Sequence, residues 1–191
     1  MKTIKNKVYT NTIEIKHSKF ITTIGYIENK EQLNQFLQTY KKTDATHNCY
    51  AYKYGIDNVQ GGYNDDHEPQ GSAGLPIFRV IENNDLTNIV ILVVRYYGGI
   101  NLGLGPLTRA YSQSAREILT LTKISQLKKY WITKINFPIT NIKKVDQFCL
   151  KNDFFIVDKA FEANVEYTIR SVEKVTKNSL FTIVEAKQTY L

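Results

Sequence analysis

Lysine is missing from the middle of this chain. Only five of the 25 cationic side chains are arginine, yet every cation between Lys53 and Lys123 is one: Arg79, Arg95, Arg109 and Arg116. Cysteine is scarce as well. Cys49 and Cys149 lie far apart, which excludes a disulfide framework and points to free thiols in a cytoplasmic protein. No apolar run approaches the roughly 20 residues of a membrane span, so no membrane partner is expected. The beginning, Met-Lys-Thr-Ile-Lys-Asn-Lys, has no apolar stretch of the kind a signal peptide carries. Internal repeats, low-complexity tracts and a lysine tail are all lacking.

What is present is a chain of 191 residues with a formal charge of +7 and a pI near 9.2. That length can bury a sizeable core in one large domain or two small ones. The charge permits contact with nucleic acid, ribosomes or an acidic partner.

The stretch around which the rest is organised runs from Arg95 to Arg116. Before it, Asn88 to Tyr97 form a nearly unbroken β-branched and aromatic run, as in a strand covered on both faces. Gly98 and Gly99 end the strand, Gly103 and Gly105 supply backbone freedom, and Pro106 suits the first turn of a helix. Leu107, Ala110, Tyr111, Ser114, Ala115, Ile118 and Leu119 then recur at helical spacing as one buried face. A glycine loop opening onto a helix presents unpaired N–H groups, a seat for phosphate or carboxylate. The spacing is neither a P-loop nor a dinucleotide fingerprint, and a tight strand-to-helix connection needs glycines for steric reasons too. The arginines have two uses. Guanidinium recognises anions with two prongs, which ammonium cannot do; it also pairs with internal carboxylates, for which Glu82, Asp85 and Glu117 are candidates. The candidate anion site is Arg95, Gly98, Gly99, Gly103, Gly105 and Arg109.

Upstream, residues 8 to 27 read as two strands around a turn at His17-Ser18-Lys19, and 31 to 42 as a helix with Leu33, Phe36, Leu37 and Tyr40 on one stripe. A strand from His47 alternates, with Asn48, Tyr50, Tyr52 and Tyr54 on one face and His47, Cys49, Ala51 and Lys53 on the other. His47 and Cys49 could form a thiol–imidazole pair, although no oxyanion motif accompanies them and a packed core cysteine is the simpler reading. Residues 55 to 74 read as a long loop holding Asp65, Asp66, His67 and Glu68. Of these, Asp65, Asp66 and Glu68 are candidates to ligate a divalent cation; a solvated loop, or carboxylates paired with the arginines, is the other reading. A helix is predicted over 75 to 83, begun around Ser72, Gly74 and Pro76.

Three motifs in order then resemble the IMPACT/YigZ family: Asp-Ala-Thr-His-Asn-Cys-Tyr-Ala-Tyr at 44 to 52, Asp-Asp-His-Glu-Pro-Gln-Gly-Ser-Ala-Gly-Leu-Pro-Ile at 65 to 77, and Arg-Tyr-Tyr-Gly-Gly-Ile-Asn-Leu-Gly-Leu-Gly-Pro-Leu-Thr-Arg-Ala-Tyr at 95 to 111. The resemblance implies an α+β protein, with a ribosomal-protein-S5 domain 2-like N-terminal domain and a ferredoxin-like C-terminal domain. It also implies a setting in translation. Eukaryotic relatives regulate initiation by interfering with a starvation-responsive kinase through an additional N-terminal domain, so that partner does not carry over. The sequence departs from the family pattern at His67, where glycine is usual, at Asn101, where lysine is common, and at Pro106, where glycine is common. The first adds an imidazole to the acidic loop, and the second removes a cation from the glycine loop.

The polar, basic stretch 122 to 130 marks a boundary, giving domains 1–124 and 125–191. Beyond it the pattern is strand 131–137, a helix with Ile142, Val145, Phe148 and Cys149 inward, strand 154–157, strand 163–169, a short helix from Ser171, and strand 180–186. That is the ferredoxin-like order. Phe154, Phe155, Tyr167 and Phe181 could stack on bases from an open sheet face, but apolar aromatics in strands are usually core. The expected function is a non-enzymatic, cofactor-free regulator of translation that binds RNA or a ribosome-associated partner through the glycine loop, Arg95, Arg109 and the acidic loop, with His47 nearby. Two other readings stand beside it: a metal-assisted hydrolase using Asp65, Asp66, His67 and Glu68 with Arg95 on the anion, and a protein–protein adaptor.

Overall fold

The apolar run forms the central strand, β6 (Ile89–Tyr96), buried along all but its last residue. In the computed structural model, which describes residues 1–4 and 7–190, this strand lies in a five-stranded antiparallel sheet of order β2-β3-β6-β4-β5. Its neighbours are β2 (Tyr9–Ile15), β3 (Ser18–Tyr26), β4 (His47–Tyr54) and β5 (Gln60–Asn64). Both faces are covered. Ile89, Ile91 and Val93 join the core beneath α2 (Gly74–Asn83) and α3 (Leu104–Leu121), whereas Val90, Leu92 and Val94 pack with Leu33, Phe36 and Leu37 of α1 (Lys30–Tyr40). Alternation along a strand thus explains why the run is apolar throughout. The same parity carries Arg95 to the face under α2 and α3.

Residues 60–64 correct the reading of 55–74 as one loop. Polar and glycine-rich, β5 has little strand propensity, but it pairs with the edge of β4 from Tyr50↔Asn64 to Tyr54↔Gln60. Its glycines fit because a Cβ at Gly61 would lie 2.9 Å from the Phe78 ring and one at Gly62 the same distance from the Tyr52 hydroxyl. The strand β1 (Lys2–Ile4) pairs with β7 (Ile124–Gln126), which joins both ends of this first unit.

The chain divides into two compact units, Met1–Gln126 and Leu127–Leu191. In the second, β8 (Lys129–Phe137), β9 (Phe155–Phe161), β10 (Val165–Ser171) and β11 (Thr182–Tyr190) form an antiparallel sheet of order β11-β8-β10-β9. That is a ferredoxin-like order, with α4 (Ile142–Lys151) covering it through Val145 and Cys149. The short helix expected from Ser171 is absent: the chain from 172 to 181 is irregular. Only Val175 and Phe181 of this segment are buried, too few to make a helical stripe, and Asn178 uses its side chain to accept from the Leu180 N–H. A mostly apolar hollow of about 710 Å³ lies along the segment. Of the four aromatics considered for stacking, Tyr167 and Phe181 are core and Phe154 packs against Phe148. Phe155 alone is exposed, under the Arg170 guanidinium.

Where β6 leaves the sheet, Gly98 passes against the turn between β2 and β3. A Cβ there would overlap the His17 backbone carbonyl, whereas one at Gly99, at φ +83°, meets nothing. Gly98→Ala should therefore lower stability by about 1–3 kcal/mol through overpacking, and Gly99→Ala by about 1 kcal/mol through its left-handed backbone. Urea denaturation measures both; a Gly98→Ala variant as stable as wild type would contradict the close approach.

Candidate functional site

Strand register builds the floor of the site. Arg95 lies opposite Phe20 on one side and His47 on the other, so the three form a row across β3, β6 and β4. A guanidinium carried under two helices must find a counter-charge, because burying an unpaired cation costs several kcal/mol. Glu68 supplies it: Arg95 Nη1 donates to Glu68 Oε1 at 2.7 Å, with the side chains 5% and 4% exposed. Tyr111, on the buried stripe of α3, donates its hydroxyl to the same oxygen at 2.7 Å. Arg95 Nη2 donates to Ser18 Oγ at 3.3 Å, and the guanidinium carbon lies 5.5 Å from the ring centres of Phe20 and Tyr97. Nε of Arg95 is buried without a partner. Of the two uses open to the arginines, Arg95 has taken the internal one, with a carboxylate of the acidic loop.

That loop is held at several points. Asp65 accepts from the N–H groups of Ala73 and Gly74 through Oδ1 and of Gly71 through Oδ2, capping α2 from a distance, while Ser72 Oγ is left unpartnered. Asp66 Oδ2 accepts from Asn48 N–H at 2.6 Å. His67, exposed and at φ +67°, occupies a left-handed position that favours glycine, and histidine is among the side chains that tolerate it. The loop carboxylates therefore serve different partners. Among the described residues no group of three or more His, Cys, Asp or Glu side chains could hold a metal ion.

His47 Nδ1 lies 2.8 Å from the Asp66 carbonyl oxygen. A carbonyl only accepts, so Nδ1 carries a proton, and in the neutral ring Nε2 is then the acceptor. Nε2 faces Glu68 Oε2 at 3.8 Å. Cys49 shares the face of His47, but it is fully buried, donates to the Asp65 carbonyl at 3.0 Å, and has its thiol pKa pushed up by desolvation. It is a core residue rather than a nucleophile.

Above the row lies a cleft of about 490 Å³, lined by Thr46, His47, Glu68, Pro69, Arg95, Tyr97, Asn101, Leu102, Gly103, Leu104 and Leu107. It unites four of the candidate residues: His47, Glu68, Arg95 and Gly103. Gly98, Gly99, Gly105, Asp65, Asp66, His67 and Arg109 do not line it; Arg109 is exposed on α3, its Nη1 3.6 Å from where a Cβ on Gly105 would stand. Sequence reasoning missed Ser18, Tyr97 and the polar role of Tyr111, and named Asn101 only as a lost cation of the glycine loop. For Tyr111 a signal existed: a tyrosine on a buried stripe brings a hydroxyl that needs a partner.

Glu68→Gln or Arg95→Met should each cost about 3–5 kcal/mol, because each leaves the other charge buried and unpaired. The double variant should cost clearly less than the sum. A double-mutant cycle by chemical denaturation measures this; simple additivity would contradict the pairing.

The chain matches the Impact N-terminal domain over residues 16–119. An IMPACT family member of Haemophilus influenzae is 34% identical, covering 84% of this chain and 80% of the relative. The Bacillus subtilis family member YvyE is 32% identical, covering 94% and 88%. A crystal structure described as that of a hypothetical protein superposes with a TM-score of 0.62 at 28% identity, over 89% of this chain and 84% of its own. Among the described residues no helix is long and apolar enough to cross a membrane. By domain match and by likeness along most of its length, the chain belongs to the IMPACT family.

Proposed function

We propose that this protein is a regulator of translation that acts by binding RNA at the rim of the cleft between β6 and α3. The setting is supported by membership of a family whose eukaryotic members act on translation initiation. The mode of action is supported by one observation above all: the glycine loop turns its side chains outward. Tyr97, Ile100 and Leu104 are 49%, 42% and 62% exposed beside the first turn of α3, whose leading N–H groups have no partner within the helix. Arg109 is exposed in the same helix. An exposed ring beside backbone N–H donors and a cation is the combination that binds single-stranded nucleic acid, by stacking and phosphate contact.

This reading reassigns Arg95. The guanidinium shapes the cleft through Glu68, and the phosphate contact falls to Arg109 and the start of α3. A hydrolase reading finds less support, since Asp65, Asp66 and Glu68 are each committed to separate internal partners.

Binding of fluorescent single-stranded RNA across a salt series tests the proposal. Arg109→Ala should weaken binding and reduce the salt slope by about 1. Tyr97→Ala should weaken it by about 1–3 kcal/mol with the slope unchanged. Wild-type protein that binds no RNA but captures a translation-associated protein would overturn the RNA reading in favour of an adaptor.

A further inference from the structure

Two hydrogen-bonding groups, the His47 ring and the Glu68 carboxylate, face each other in the cleft. The Nδ1 proton of His47 is committed to the Asp66 carbonyl, so Nε2 presents a lone pair. Glu68 Oε1 is occupied by Arg95 and Tyr111, and among the described residues no hydrogen bond reaches Oε2. The two atoms stand 3.8 Å apart, beyond hydrogen-bond range, so neither satisfies the other even with a protonated ring. The Glu68 side chain is 4% exposed and contributes to the lining of the cleft. A carboxylate oxygen so placed, open to the cleft beside an imidazole nitrogen, is positioned to take a donor from a ligand.

The same cleft holds the other parts of a nucleotide site. Gly103, Leu104 and Leu107 line it, so the start of α3 faces it, with the N–H groups of Leu104 and Gly105 at the first two helical positions. Gly103, at φ +77°, presents open space where a Cβ would stand, which lets an anion approach the helix end. Tyr97 is a half-exposed ring in the lining. An aromatic face, an anion seat and a polar pair open to the cleft correspond to base, phosphate and sugar hydroxyl.

Resting on the RNA reading above, we propose that the cleft takes one ribonucleotide of a single strand and recognises its ribose 2′-hydroxyl. The hydroxyl donates between His47 Nε2 and Glu68 Oε2. Arg95 and Tyr111 are positioning residues that hold Glu68 in place through its other oxygen. Deoxyribose brings no proton donor at that position and forgoes this hydrogen bond, so the cleft discriminates RNA from DNA.

The test compares wild-type protein bound to a fluorescent single-stranded RNA, the DNA of the same base sequence, and the 2′-O-methyl RNA, at one salt concentration. RNA should bind about tenfold more tightly than DNA, as loss of one hydrogen bond to a charged acceptor predicts, and the 2′-O-methyl strand should bind like DNA. His47→Ala should bring the ratio of RNA to DNA affinity down toward one. The ratio is unaffected by a fraction of unfolded protein, and the 2′-O-methyl comparison needs no variant. Equal binding of all three strands would overturn 2′-hydroxyl recognition while leaving the proposed RNA function standing. Binding of none would overturn both. An RNA preference unchanged in folded His47→Ala would overturn the assignment to this cleft.

Discussion

The first unit depends on a buried ion pair. Strand parity delivers Arg95 to the face of the sheet that α2 and α3 cover, where a lone cation is intolerable, and Glu68 answers it at 2.7 Å. Such a pair does not repay its desolvation by Coulomb attraction alone. Here it is supplemented by the Tyr111 hydroxyl on the carboxylate, by Ser18 under the guanidinium and by two aromatic faces beside it. Three segments far apart in sequence meet at one charge: the β2–β3 turn, the acidic loop, and α3. The arginine is needed at this position because a point-like ammonium could not reach Glu68 and Ser18 with two prongs at once.

From that pair the cleft follows. Holding Glu68 down brings the acidic loop across the end of the sheet, where Asp65 caps α2 and Asp66 closes on the N–H of Asn48. The Asp66 carbonyl in turn orients His47. Polar groups that look in sequence like a cation site fasten a loop, and the proposed recognition surface is what that fastening leaves open: Tyr97, Asn101, the start of α3, and the outward edges of His47 and Glu68.

Much of this was legible from the residues. The apolar run, the glycine exits, the α3 stripe and the alternation of β4 give the central strand, its two covers and the shared face of His47 and Cys49. The arginine-only interval pointed to guanidinium chemistry, and the structure finds it at Arg95. The choice between ligand and internal partner was not legible, because Glu68 lies 27 positions from Arg95 and reaches it only through a loop whose path local propensity does not specify. Arg109 is different. The stripe that places Leu107, Ala110 and Tyr111 inside also places 109 outside, so its separation from Arg95 was already implied by helical phase. Two elements defied local reading for opposite reasons: β5 forms from a polar, glycine-rich segment because an unpaired edge was available, and the segment after Ser171 stays irregular because it has too few apolar residues to bury.

The account stands on the claim that Glu68, through Arg95, fastens the acidic loop and so makes the cleft. Backbone hydrogen exchange in wild type and Glu68→Gln tests this most directly. The account predicts faster exchange in the variant at Gly71, Ala73, Gly74 and Asn48, whose N–H groups are held by Asp65 and Asp66, with the amides of α1 unchanged. Unchanged protection at those four amides in a folded variant would contradict it, and would mean that the loop is held without the buried pair.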